Sequence, residues 1–230
     1  MICIRLLFVG ACSALLAGTL VHAGAQTEGA PGRPTTVAAP EHKVGDLWVY
    51  NKINGWNGEL EFVVVSSVKD LSPRGALVEA VVPGSTIVTR MQRNAGFNLV
   101  RTETPTGVPT IAPFYPSYAF PLAIGKTWTQ KVSFANTAQP DKNVTAWFEG
   151  RVVGWELVTV PAGTFDAVRI ELKANYQAHS AQGSWSGTIT DLLWYAPAVR
   201  NAVKYEYQDT VDTLKYTHDV YELVRFWNAP

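Results

Sequence analysis

Cysteine is almost missing from this chain: of 230 residues only Cys3 and Cys12 are cysteines. Both fall inside what reads as an export leader, so the mature chain has no disulfide, no thiolate metal site and no cysteine nucleophile. Charge is sparse as well. Charged residues make up 17% of the chain, and 19 basic side chains balance 19 acidic ones. With no basic cluster to neutralise a phosphate backbone, a nucleic-acid partner is not expected. Helical periodicity is missing outside the leader, since no stretch of eleven residues repeats its apolar positions at 3.6.

Catalytic motifs are missing too. There is no Gly-x-Ser-x-Gly elbow, no His-Glu-x-x-His pair and no glycine-rich phosphate loop before a helix. His179 lies in a small polar turn (Ala178 to Gly183), which suggests simple exposure. His218 precedes Asp219 in a strand, where adjacent side chains point to opposite faces, so the two do not form a local pair. A hydrolase would need a carboxylate from another strand to serve His218, and it is the weakest of three functional readings. The paired acids Glu59/Glu61 and Asp209/Asp212 read as solvated surface and turn chemistry. Asp191, Asp209 and Asp212 are too scattered to form a metal site. Neither a metal nor a cofactor is expected.

What the chain does contain first is an address. Arg5 precedes an apolar run from Leu6 to about Val21, and Ala23-Gly24-Ala25 offers small residues for a signal peptidase. Residues 1–25 therefore read as a signal peptide, which places the protein in the bacterial periplasm or outside the cell. The alternative is a lipoprotein anchored through Cys12, because Val9-Gly10-Ala11-Cys12 resembles a lipobox. No membrane span is expected once the leader is removed, since the apolar run falls short of the ~20 residues a helix needs. Residues 26–43, rich in Gly, Pro, Thr and Ala, read as a disordered linker, and His42 within it carries no chemistry.

Residues 44–228 read as one β domain. That length buries about 70% of the unfolded surface without staples. Eight Trp, nine Tyr and nine Phe suit a pleated surface better than a helix bundle. Strand-like runs recur from Leu47 to Phe226, separated by turns such as Asn54-Gly55, Ser72-Pro73-Arg74-Gly75, Pro83-Gly84 and Gln182-Gly183. The hairpin from Trp155 to Leu172 shows this best. Pro161 presets the turn, Gly163 can take a left-handed conformation, and Val168, Ile170 and Leu172 alternate with Arg169, Glu171 and Lys173. The expected fold is all-β, a single mostly antiparallel domain forming a strongly curved sheet, half-barrel or β-sandwich, with little helix outside the signal peptide.

Two features break the monotony of strands. Val44-Gly45-Asp46-Leu47-Trp48 and Ile124-Gly125-Lys126-Thr127-Trp128 share apolar-Gly-x-x-Trp, either as two related halves or as a common turn before an aromatic strand. Between them, residues 104–122 carry five prolines interleaved with Phe114, Tyr115, Tyr118 and Phe120. Proline removes ladder donors, so this segment is not expected to be a central strand. It is either a strap whose aromatics plug one end of the sheet or a flap over an apolar cavity. The strand tryptophans read as core, while Trp56, in the Asn54–Gly58 turn, reads as exposed.

The segment Val158 to Glu171 (VTVPAGTFDAVRIE), followed by Leu192 to Tyr207 (LLWYAPAVRNAVKYEY) and preceded by Phe120 to Trp128 (FPLAIGKTW), is similar to a broad group of uncharacterised exported bacterial proteins. That group, catalogued as domains of unknown function, combines a VPAGTF-type hairpin with a Trp-Tyr-Ala-Pro turn and a Val-Lys-Tyr-Glu strand. The resemblance covers roughly residues 121–206 and implies export and β architecture, with no activity. After Pro197 the group often has glycine where this chain has Ala198-Val199-Arg200-Asn201, and Asn201 is the candidate for the left-handed position.

The leading expectation is an exported, non-enzymatic envelope protein that binds a lipophilic or small ligand, or a protein partner, on a concave aromatic-lined face. Phe114, Tyr115, Tyr118, Phe120 and Trp56 are the candidate contacts. The alternative is a secreted carbohydrate-binding module. Oligomeric state is not legible from the sequence.

Overall fold

Three long strands that need no crossover carry the structure, because each folds straight back on its predecessor through a two-residue loop. β10 (Asn143–Val160) runs into β11 (Gly163–Ser180), and β11 into β12 (Gly183–Ala196). Gly163 and Gly183 close these loops with φ of +129° and +132°, a region that strains residues with a Cβ. The same loop, closed by Gly75, joins β3 (Leu60–Ser72) to β4 (Gly75–Val81). The computed structural model describes residues 32–212 and 214–230. The leader, both cysteines and residues 26–31 of the expected linker lie outside the described residues.

The remaining strands are β1 (Thr36–Val37), β2 (Leu47–Asn54), β5 (Val88–Asn94), β6 (Leu99–Glu103), β7 (Pro109–Ala112), β8 (Leu122–Ala123), β9 (Thr127–Asn136), β13 (Asn201–Val211) and β14 (Leu214–Trp227). All described pairings are antiparallel. β1 pairs with β8, and the other twelve close a barrel in the order β10-β11-β12-β13-β14-β2-β3-β4-β5-β6-β7-β9. Outside the strands, the regular element among the described residues is a 3₁₀ turn at Pro197–Val199.

The all-β, antiparallel expectation is met, and the half-barrel or sandwich becomes a closed barrel. Closure depends on the segment whose prolines argued against a central strand. β7 lies between β6 and β9, with four residues paired to β9 and one to β6. Its proline occupies the first position, where a missing donor is tolerated, and Thr110 to Ala112 carry the ladder. Gly154 accompanies a bulge between Val152 and Gly154 within the 18-residue β10. A bulge of this kind bends a strand and sharpens its twist.

Alternation decides what lies inside. Val168, Ile170, Leu172, Ala174, Tyr176 and Ala178 on β11 are all buried, in one of two core clusters. The second cluster gathers Trp48, Val68, Val78, Val160, Val199, Val203 and Leu223. Each large aliphatic side chain sealed in this way contributes roughly 1.5–3 kcal/mol. On the outer wall, Thr129, Glu149, Lys173, Thr190 and Gln208 form a polar rung across five strands. In this rung the outward positions are polar, where a membrane-spanning barrel places apolar ones.

Part of the expected linker is ordered structure. Val37 on β1 belongs to the first core cluster, and His42 is packed against two aromatic rings. The His42 ring stacks on Phe97 at 3.8 Å and meets Trp48 edge-on at 5.6 Å. Burial lowers its pKa to about 4, against the opposing pull of Asp46. Asp46 is itself fully buried; it accepts the backbone N–H groups of Lys43 and Ala229 and is paired with Arg200 at 3.0 Å. It thereby ties the entry of the domain to the last residues of the chain.

The two apolar-Gly-x-x-Trp motifs build the same turn. Gly45 N–H donates to Val68 O and Gly125 N–H to Val152 O, both at 2.9 Å. Val68 N–H and Val152 N–H return bonds to Asp46 O and Lys126 O. Both glycines have positive φ. The left-handed residue after Pro197 is Arg200 (φ 59°), not Asn201, which already starts β13.

Candidate functional site

Residues 113–121 leave the end of β7 and pass against the inside of the barrel, which places three of the expected aromatics in one cluster. Asn98 clamps this strap: its Nδ2 donates to Tyr118 O at 2.9 Å and its Oδ1 accepts Tyr118 N–H at 2.8 Å. Tyr115 N–H donates to Leu99 O, and the Trp128 indole N–H donates to Pro116 O at 3.1 Å. Tyr118 and Phe120 stack on one another and both meet Tyr195 edge-on. Tyr115 turns the other way, edge-on to Phe148 at 4.9 Å. Phe114 is half-buried.

At the tip of Tyr115 is a residue that the sequence offered only as one of three scattered carboxylates. Asp191, on β12, is 0% exposed. The Tyr115 phenol donates to its Oδ2 at 2.5 Å and the Tyr205 phenol, from β13, to its Oδ1 at 3.1 Å. Burial raises the Asp191 pKa to about 7, although both phenols favour the charged form. The phenols are themselves pushed well above their ordinary range, first by burial and then by the neighbouring carboxyl, so they remain donors. One signal was available: Asp191 sits at an inward position of an apolar strand, flanked at i±2 by Ile189 and Leu193.

The wall around this carboxyl is aromatic and polar together. One inward rung runs Leu193, Tyr205, Tyr221, Lys52 and Phe62 across five strands. Tyr205 and Tyr221 stack at 6.0 Å. The next rung places Tyr207 and Asp219 beside Asp191. Lys52 bridges Asp219 at 2.7 Å and Glu61 at 2.5 Å. Burial pulls the Lys52 ammonium down, but these two carboxylates outweigh it and hold its pKa above the usual value. Tyr205, Tyr207, Tyr221 and Phe62 all retain accessible surface although they face inward.

Trp56 does not join the strap residues. It is 49% exposed in the β2–β3 turn, edge-on to His218 at 4.9 Å. His218 stands across the ladder from Gln208, with the two side chains 3.3 Å apart, while Asp219 turns to Lys52 as alternation requires. His179 is exposed and bonds Ser184 at 2.9 Å. Glu59 accepts from Asn57, Asp209 from the Tyr176 phenol and Asp212 from the Ser186 backbone. The tryptophans divide. Trp48 and Trp194 are core, but Trp147 and Trp227 are exposed, contrary to the reading of strand tryptophans as core.

No family model matches the chain, and no curated protein matches it. Solved structures do resemble it. One is a candidate lipoprotein from Parabacteroides distasonis, 17% identical, with a TM-score of 0.48 over 85% of this chain and 100% of that one. Another is a candidate exported protein with a YmcC-like fold from Bacteroides fragilis, 14% identical, with a TM-score of 0.39 over 84% of this chain and 100% of that one. The hypothetical lipoprotein YmcC from Escherichia coli is 9% identical, with a TM-score of 0.43 over 81% of this chain and 85% of that one.

Proposed function

We propose that this chain is an exported, non-enzymatic envelope protein that takes a lipophilic small ligand onto the inward, aromatic wall of its barrel beside the strap. Export is supported by Arg5, the apolar run and Ala23-Gly24-Ala25, with Cys12 as the lipidated alternative. One observation carries the binding reading. A buried carboxyl with a raised pKa is clasped by Tyr115 and Tyr205, next to inward rings that retain accessible surface. Small-molecule sites have this composition, an apolar wall with a few convergent polar groups. Tyrosine rings supply flat apolar contact, and Asp191 with its phenols supplies a polar end to orient a head group.

Against the hydrolase reading, His218 lies opposite Gln208 and Asp219 is engaged by Lys52, so neither is arranged as a base with its orienting partner. The test is uptake of a fluorescent fatty-acid probe by the delipidated mature protein. Saturable binding is expected, weakened about tenfold or more in Tyr205→Ala with the far-ultraviolet circular dichroism of the β fold retained. Protein that takes up no probe and carries no lipid through purification would end the proposal.

A further inference from the structure

Independently of the interior, the outer wall carries a second assembly. We infer that Trp147, the fifth residue of β10, is the platform of a binding site for an uncharged glycan. Its strand neighbours Ala146 and Phe148 are buried, whereas Trp147 is 44% exposed on the opposite face. It lines two surface grooves, of about 330 and 320 Å³, one on each side. These volumes match the lower end of the range for small-ligand sites, ~300 Å³.

The lining selects the ligand. Across the ladder, Trp147 stands between Lys131 on β9 and Asn175 on β11, and Thr188 on β12 continues the rung. The groove on the β11 side adds Gln177 and Ser186. A sugar ring needs one flat apolar surface for its C–H face and a ring of amides and hydroxyls for its equatorial hydroxyls. The indole supplies the first, and Asn175, Gln177, Ser186 and Thr188 supply the second. Lys131 lies 5.8 Å from the indole centroid on the β9 side, so the β11 side is where a sugar would stack, and the second groove continues the path for an adjoining unit.

Charge excludes the main competitors. Lys131 is offset by Glu149 in one groove and Asp212 lies in the other, so neither groove offers the one-signed track that a nucleic acid or polyanion requires. A protein interface would centre on a larger apolar patch than one indole among amides. The strands also hold the side chains on a rigid lattice, ~4.8 Å between strands, so little order is lost on binding.

Affinity electrophoresis of the mature chain tests the assignment, in native gels containing soluble xylan, mannan, mixed-linkage β-glucan or dextran, with alginate as the charged control. Retardation by at least one neutral polymer is expected. Trp147→Ala should weaken it roughly thirtyfold, Trp147→Phe should restore part of it, and Asn175→Ala should weaken it roughly fivefold. Trp227→Ala, at an exposed tryptophan that lines neither groove, should leave it unchanged. Wild-type protein unretarded by every neutral polymer would overturn the inference. So would retardation that survives Trp147→Ala, or retardation by alginate alone that vanishes with salt.

Discussion

Replacing Asp191 by asparagine tests the interior chemistry most directly. Asparagine keeps the shape and an acceptor for the phenols but cannot ionise. Between about pH 4 and 7 the folded chain holds a proton at Asp191 that the unfolded chain has released. This group's contribution to stability is therefore fully present below about pH 4 and is lost as pH rises through about 7. A rise from the ordinary 3.8 to about 7 corresponds to about 4 kcal/mol of preference for the neutral acid. Asp191→Asn removes that dependence, and every other titrating group is common to both proteins and cancels in the difference. Urea unfolding of both proteins from pH 4 to pH 8.5 should show the variant gaining about 2–4 kcal/mol on the wild type. A difference that stays constant within about 0.5 kcal/mol would mean that the two phenols hold Asp191 ionised at ordinary pH, and the reasoning would fail.

Two further predictions concern how the frame is held. Asp46→Ala should cost about 3 kcal/mol in thermal or urea unfolding, because it strands the Lys43 and Ala229 N–H groups and leaves Arg200 unpaired; an unchanged midpoint would show that water replaces the carboxylate. Gly150→Ala should cost about 1–3 kcal/mol, since its Cβ would fall 2.1 Å from the Trp128 ring that anchors the strap, whereas Gly154→Ala, which meets open space, should stay within about 0.5 kcal/mol. Equal urea midpoints for the two alanine variants would contradict the packing described here.

The strands, their alternation and the β10–β11 turn were legible in the residues because each depends on neighbours two to four positions away. Val168, Ile170 and Leu172 face inward for the reason their pattern states, and Gly163 turns where its missing Cβ allows. The equivalence of the Gly45 and Gly125 turns was visible as a repeated motif, though only their shared hydrogen bonds show it to be one structure used twice. The strap aromatics were legible as a group, and their attachment to Asn98 was not.

Other outcomes depended on partners far away in sequence. Closure of the barrel rests on Pro109–Ala112 meeting β9, and local proline rules argue against that strand because they cannot see the partner that pairs with it. Asp191 looks like any strand carboxylate until Tyr115 and Tyr205 approach from 76 and 14 residues away. Trp147 and Trp48 are the same residue type in similar strands. One is exposed and one buried because the bend of the barrel sets which face each strand turns outward. Short-range chemistry determined the elements, and long-range enclosure decided which side chains lost their water.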